Sequence, residues 1–249
     1  MNDRWILRRP SSVARMRLFC LPYAGGGANV YAGWAREFPE ELEVCLVEPP
    51  GRRGRLREPA FTRVGPLVDA LDAALQPYLD LPYAFFGHSF GALLAYELHH
   101  RLDPAALFLS GAAAPHLPRA GGSITGLPDR AFLDQVRGYG GIPDAVFADE
   151  SMMAAFLPAL RADFEAFEAY RPAAPEPVRC PLFLLGGAED HVAPPAQVDA
   201  WRRLAAGPVQ SRFFAGGHFY LNEQRRPLTA HVARHLGAQL YRRPAPARG

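Results

Sequence analysis

Two kinds of hydrophobic pattern take turns along the chain. Short strand-like runs occur at Arg17–Leu21, Glu43–Val47, Tyr83–Phe86, Ala106–Leu109, Leu182–Leu185 and Gln210–Phe214. Between them lie longer segments with helical spacing. The clearest is Val64–Leu79, where Val64, Leu67, Val68, Leu71 and Leu75 fall on one helical face. Helices are also predicted at Val30–Phe38, Ser89–Leu102, Pro195–Ala205 and Leu228–Leu240, and Trp5–Leu7 is a candidate edge strand. Strands that alternate with helices predict an α/β fold, with a mostly parallel sheet of about seven strands covered by helices.

The alternation breaks between residues 113 and 177. That stretch reads as helical, with candidates at Asp129–Tyr139 and Met152–Tyr170, and Pro158 is expected to break or kink the second. There are no internal repeats and no low-complexity tract, so residues 1–249 are expected to form one domain with an insertion at about 113–177. Active sites of such folds lie at the carboxyl ends of the strands. An insertion placed there is expected to act as a lid, the alternative being that it only covers apolar surface.

Composition narrows the function classes. The chain has 49% hydrophobic and 21% charged residues and a formal net charge of +2. No block of like charge is long enough to track a phosphate backbone, so nucleic acid is not an expected partner. Every basic residue is Arg and none is Lys, a bias typical of GC-rich bacterial genomes. The densest basic stretch, Arg52–Arg57, reads first as a solvated loop and second as a docking patch for an acidic partner. Cys20, Cys45 and Cys180 are odd in number and lie in or beside apolar runs, which fits reduced, buried thiols. Met1–Pro10 lacks the apolar stretch of a signal peptide, and no run has the length of a membrane span. A cytoplasmic protein with no membrane association is expected. No Cys or His spacing matches zinc ligands, so no metal is expected.

The strongest local signal is Gly87-His88-Ser89-Phe90-Gly91, between a predicted strand and a predicted helix. The bare G-x-S-x-G pattern is weak, but strand–turn–helix is the setting of a nucleophile elbow. Small flanking residues let strand and helix approach closely, and the Phe90 N–H would face the space above Ser89. The mundane alternative is that Ser89 merely caps the helix. A serine nucleophile needs a base within reach. Of eight histidines, His218 in Gly216-Gly217-His218-Phe219 directly follows the last strand, on a turn at its carboxyl end. An acid to orient that base is expected after Leu182–Leu185, where Glu189 and Asp190 both qualify. A second oxyanion donor is expected from the loop Leu21-Pro22-Tyr23-Ala24-Gly25-Gly26-Gly27, with Ala24 first choice and Tyr23 second. Phosphate cradling by the three glycines is disfavoured, because the Lys-Ser/Thr ending of a P-loop is missing.

Taken in order, several segments make the chain resemble the type II thioesterases of polyketide synthase and nonribosomal peptide synthetase pathways. They are Leu18–Gly26, Pro50-Gly51-Arg52, Phe86–Gly91, Pro181-Leu182 with the Gly187–Asp190 loop, and Gly216–Leu221. Such enzymes often have His where Tyr23 stands and Met where Phe90 stands; both positions contribute backbone N–H groups. The resemblance implies an α/β-hydrolase fold with a helical lid and a catalytic triad of Ser89, His218 and Asp190, which selects Asp190 over Glu189. It implies an oxyanion hole from the N–H groups of Ala24 and Phe90. It further implies acyl or peptidyl carrier proteins as transient partners, a phosphopantetheine arm carried by the substrate and no cofactor of the enzyme's own; a monomer is expected. Arg52, Arg53 and Arg55 are candidates to meet the acidic carrier protein. Other readings are a carboxylesterase or lipase-like hydrolase, a product-releasing or cyclising thioesterase, and a non-catalytic interaction protein on a hydrolase scaffold.

Overall fold

The computed structural model describes residues 4–118, 122–142, 147–171 and 176–240. The expected insertion therefore lies partly outside the described residues. Seven strands form one sheet: β1 (Ile6–Arg8), β2 (Met16–Leu21), β3 (Leu42–Val47), β4 (Tyr83–His88), β5 (Ala106–Ser110), β6 (Leu182–Gly187) and β7 (Val209–Phe214). Their order is β1-β3-β2-β4-β5-β6-β7. Only β1 runs antiparallel, on β3, and every other pairing is parallel. The central strands are buried at every position because both faces are covered, and most of their residues are apolar.

Alternate residues of each strand feed two cores. Phe19, Leu21, Phe85, Leu107 and Leu184 face α1 (Val64–Leu75) and α2 (Phe90–His99), together with Trp201. Leu18, Cys20, Phe86, Phe108 and Leu185 face Tyr31, Trp34 and the last helix. The five apolar positions that predicted α1 are the five it buries. Further along lie α3 (Asp129–Tyr139) and α4 (Glu150–Ala169) between β5 and β6, and α5 (Pro195–Asp199) between β6 and β7. After β7 come α6 (Tyr220–Glu223) and α7 (Arg225–Leu240), which buries Leu228, Val232 and Leu236. No helix among the described residues is long and apolar enough to cross a membrane. The three cysteines are free thiols.

Three expectations need correction. Val30–Phe38 is not an α-helix but two 3-10 turns, Ala28–Tyr31 and Trp34–Arg36, parted by Gly33 at φ 85. The left-handed residue ends one turn before the next begins. Of the two effects expected of Pro158, the break is excluded, because α4 runs through it. Pro158 and Ala154, whose carbonyl the proline leaves unpaired, are both exposed, so water can satisfy that group. Finally, Arg52–Arg57 is only in part a solvated basic loop, with Arg53 and Arg57 exposed. Arg52 and Arg55 are buried. The Arg55 guanidinium lies 4.0 Å over the Trp5 ring, donates to the Glu48 carbonyl at 2.8 Å and pairs with Glu58 at 2.7 Å. Two of the three arginines proposed to meet an acidic partner are thus committed to internal contacts, and only Arg53 is exposed.

Candidate active site

Sheet order decides which loops meet. β2 and β4 are neighbours although β3 separates them in the chain, and Leu21 pairs with Gly87. Crevices open outside the strands' carboxyl ends at such a switch of direction. The glycine-rich loop after β2 and the turn after β4 therefore stand side by side.

Ser89 occupies the turn between β4 and α2 at φ 53 and ψ −115. A non-glycine residue there stores about 1–3 kcal/mol of strain. Its N–H is held by the Ser110 carbonyl at 2.8 Å. The flanking glycines make the turn possible. A Cβ on Gly87 would lie 2.1 Å from the Gly91 carbonyl oxygen, and one on Gly91 would lie 2.2 Å from that of Leu21. The Ser89 side chain makes no capping hydrogen bond to α2, so the capping alternative lacks its defining contact.

β6 and β7 end on the same rim. Asp190, after β6, is buried. Its Oδ1 accepts from the Val192 and Ala193 N–H groups at 2.8 and 2.9 Å, and its Oδ2 accepts from His218 Nδ1 at 2.8 Å. A carboxylate only accepts, so His218 donates this bond from Nδ1–H, and in the neutral ring that tautomer leaves Nε2 as a lone-pair acceptor. Glu189 points elsewhere: it is exposed and accepts from the Gly216 N–H.

Ser89, His218, Ala24 and Phe90 line one cavity of about 430 Å³. Its remaining walls are mainly apolar, with Val136 and Tyr139 from α3 and Leu160, Phe164 and Phe167 from α4. Among the described residues neither the Ala24 N–H nor the Phe90 N–H donates to a protein acceptor. The arrangement offers a strained alcohol, a carboxylate-held imidazole and two unengaged amide donors on one apolar chamber. That set can carry nucleophilic acyl transfer. A second cleft of about 290 Å³ is lined by His99, His100, Glu176 and Cys180. Burial pushes the Cys180 thiol up to about 11, which disfavours it as a nucleophile.

Two groups of residues beside the cavity are not singled out by sequence reasoning. His88 is fully buried, with Nδ1 bonded to Ser110 Oγ at 2.8 Å and Ser110 Oγ bonded to the Tyr220 hydroxyl at 2.7 Å. Its ring centroid lies 5.0 Å from that of His218, and burial holds its pKa well below the usual imidazole value, so it is neutral. Asp163, on α4, is buried and ion-paired with Arg52, and it accepts the Gly25 N–H at 2.7 Å. Its sequence signal is an acid on the face that also carries Phe156, Ala159 and Leu160.

Comparison with known proteins follows the same lines. The family model described as a thioesterase domain matches residues 16–240. The gramicidin S biosynthesis protein GrsT of Aneurinibacillus migulanus is 35% identical over 242 residues, spanning 95% of this chain and 94% of its own length. Thioesterase PikA5 of Streptomyces venezuelae is 37% identical over 242 residues, spanning 93% of this chain and 85% of its own. Among solved structures, the type II thioesterase BorB from the borrelidin biosynthetic cluster superposes with a TM-score of 0.87 at 36% identity, covering 95% of this chain and 99% of that one.

Proposed function

The chain belongs to the thioesterase family and has the α/β-hydrolase fold, and we propose that it is a type II, editing thioesterase that hydrolyses acyl groups from the phosphopantetheine arm of carrier proteins in polyketide or nonribosomal peptide assembly. The observation that carries this reading is that Ser89, on its strained turn, and the Asp190-held His218 line the same apolar cavity. The relatives' names support the pathway, since GrsT serves gramicidin S biosynthesis and BorB is a type II thioesterase of a biosynthetic cluster.

On this reading the acyl chain lies in the chamber under α3 and α4, which act as a lid. Ser89 Oγ attacks the thioester carbonyl as His218 Nε2 takes the hydroxyl proton. Asp190 keeps the imidazole in the competent tautomer and stabilises the imidazolium. The Ala24 and Phe90 N–H groups receive the oxyanion. Collapse breaks the C–S bond, and the arm leaves as a thiol with the proton from His218. Water then attacks the acyl-serine with His218 again as base, the ester bond to Ser89 Oγ breaks, His218 returns the proton to Oγ, and the free acid departs. The chemistry calls on no cofactor beyond the arm that the substrate brings.

The test is mass spectrometry of carrier proteins loaded with a series of acyl groups, before and after exposure to the enzyme. Unloaded carrier protein and free acid are expected, and Ser89→Ala is expected to leave the load intact with its fold unchanged by circular dichroism. Turnover retained by Ser89→Ala would refute the nucleophile. Faster cleavage of simple oxygen esters than of carrier-bound thioesters would replace the thioesterase reading with that of an ordinary carboxylesterase.

A further inference from the structure

α4 does more than roof the cavity; it is seated on the backbone of two loops, one of which carries the candidate oxyanion donor Ala24. Phe156, Ala159, Leu160 and Asp163 follow one another at helical spacing and form a single contact face. A Cβ on Gly25 would lie 2.7 Å from Leu160 Cδ1 and 2.7 Å from Phe156 Cζ, and one on Gly51 would lie 3.1 Å from the Ala159 Cβ. The helix therefore rests directly on the loop after β2 and on the turn after β3. Asp163 is the one charged residue among those α4 buries.

The polar contacts at this seat converge on the candidate oxyanion donor. Asp163 Oδ2 accepts the Gly25 N–H at 2.7 Å and also accepts from the Arg52 guanidinium, which donates to the Pro50 carbonyl at 2.6 Å. Gly25 follows Ala24, so this bond fixes the peptide unit on the carboxyl side of Ala24. The unit on its amino side is fixed by its own Tyr23 carbonyl, which accepts from the Gly26 N–H at 2.8 Å. In a planar trans peptide the N–H points opposite to the C=O, so the Ala24 N–H is turned away from Gly26. With both neighbouring peptide planes tied, the Ala24 N–H has one direction. Tyr23 and Gly26 belong to the loop itself, whereas the tie on Gly25 comes from the inserted helix.

We propose that Asp163 is a positioning residue for the reaction: from α4 it holds the Ala24–Gly25 peptide so that the Ala24 N–H faces the developing oxyanion, with Arg52 as its counter-charge. The position of the inserted helix and the competence of the oxyanion hole are then one property. An enzyme whose α4 is lifted from Gly25 loses a donor, not only a roof. This inference rests on the hydrolase reading given above.

Asp163→Ala alone would strand a buried guanidinium and confound folding with function. Two paired variants avoid this. Arg52→Met with Asp163→Asn removes both charges but keeps an amide oxygen for the Gly25 N–H. Arg52→Met with Asp163→Leu removes both charges and the acceptor. Their kcat and KM on an acyl thioester, and the rate at which a fluorophosphonate labels Ser89, are compared with wild type per folded molecule. The Asn pair is expected to keep kcat within about threefold of wild type. The Leu pair is expected to lose about tenfold to a hundredfold in kcat and in labelling rate, with KM little changed, since a misdirected donor weakens the transition state rather than substrate binding. Equal kcat in the two pairs, whatever their melting temperatures, would overturn the inference. So would a loss confined to KM. If wild-type protein neither turns over nor is labelled, the hydrolase reading itself fails, and this inference with it.

Discussion

The carboxyl group of Asp190 has no freedom to choose its partners. Oδ1 is claimed by the Val192 and Ala193 N–H groups, and Oδ2 by His218 Nδ1. In Asp190→Asn the carbonyl oxygen must stay with the two backbone donors, which turns the amide NH₂ toward His218. The imidazole then has to accept at Nδ1 and carry its proton on Nε2, the tautomer that cannot receive the serine proton. The expected result is a kcat lower by about three to four orders of magnitude with little change in melting temperature. Glu189→Gln is expected to stay near wild type in steady-state kinetics, because its carboxylate bonds the Gly216 N–H instead. Ser89 and His218 are legible in the chain, since each is marked by a local pattern at the end of a strand. The choice between Glu189 and Asp190 is not. Two adjacent acids on one loop differ only in where the turn aims them, and the family resemblance, not the spacing, selects Asp190.

α3 and α4 show how an element's role depends on what it covers. Val136 is 4% exposed, belongs to the insertion's small core with Phe132 and Leu160, and lines the cavity. In Val136→Phe the added ring is expected to occupy the chamber. Acetyl and propionyl thioesters should then be cleaved as before, while kcat/KM for long acyl chains falls by at least about tenfold, each lost methylene contact being worth about 1–3 kcal/mol. Turnover across a series of acyl lengths measures this; an unchanged profile would mean that the chain does not enter under α3. The continuity of α4 through Pro158 follows from the same packing. Buried Ala159 and Leu160 secure the helix just where the proline removes a bond, and local propensity alone predicts a break.

Buried imidazoles set how the folded protein responds to acid. Burial holds His88 well below the ordinary value of about 6.5 and pushes His231 down to about 4, where His235 and Arg212 add to the effect. The unfolded chain therefore binds more protons than the folded one below about 6.5. The stability linked to these groups is complete above that pH and is lost as pH falls toward 4, and further still for His88. The melting temperature is expected to be flat from pH 7 to 8 and to decline steadily below about 6.5. His231→Gln should reduce the slope between about 6.5 and 4, and a variant profile as steep as wild type would contradict the assignment.

Strand runs, the spacing of α1, the turn at Ser89 and the histidine after β7 can all be read from residues close together in the chain, because periodicity and turn chemistry are local. The burial of Arg52 and Arg55 could not be read that way. A basic run looks solvated until Asp163 and Trp5, distant in sequence, are brought against it. The same holds for the hydrogen bond between Asp163 and Gly25, and for the chamber that sets β2 and β4 loops beneath α3 and α4. Those contacts arise from the order in which the strands assemble, and a one-dimensional pattern of polar and apolar residues does not encode which distant loops that order makes neighbours.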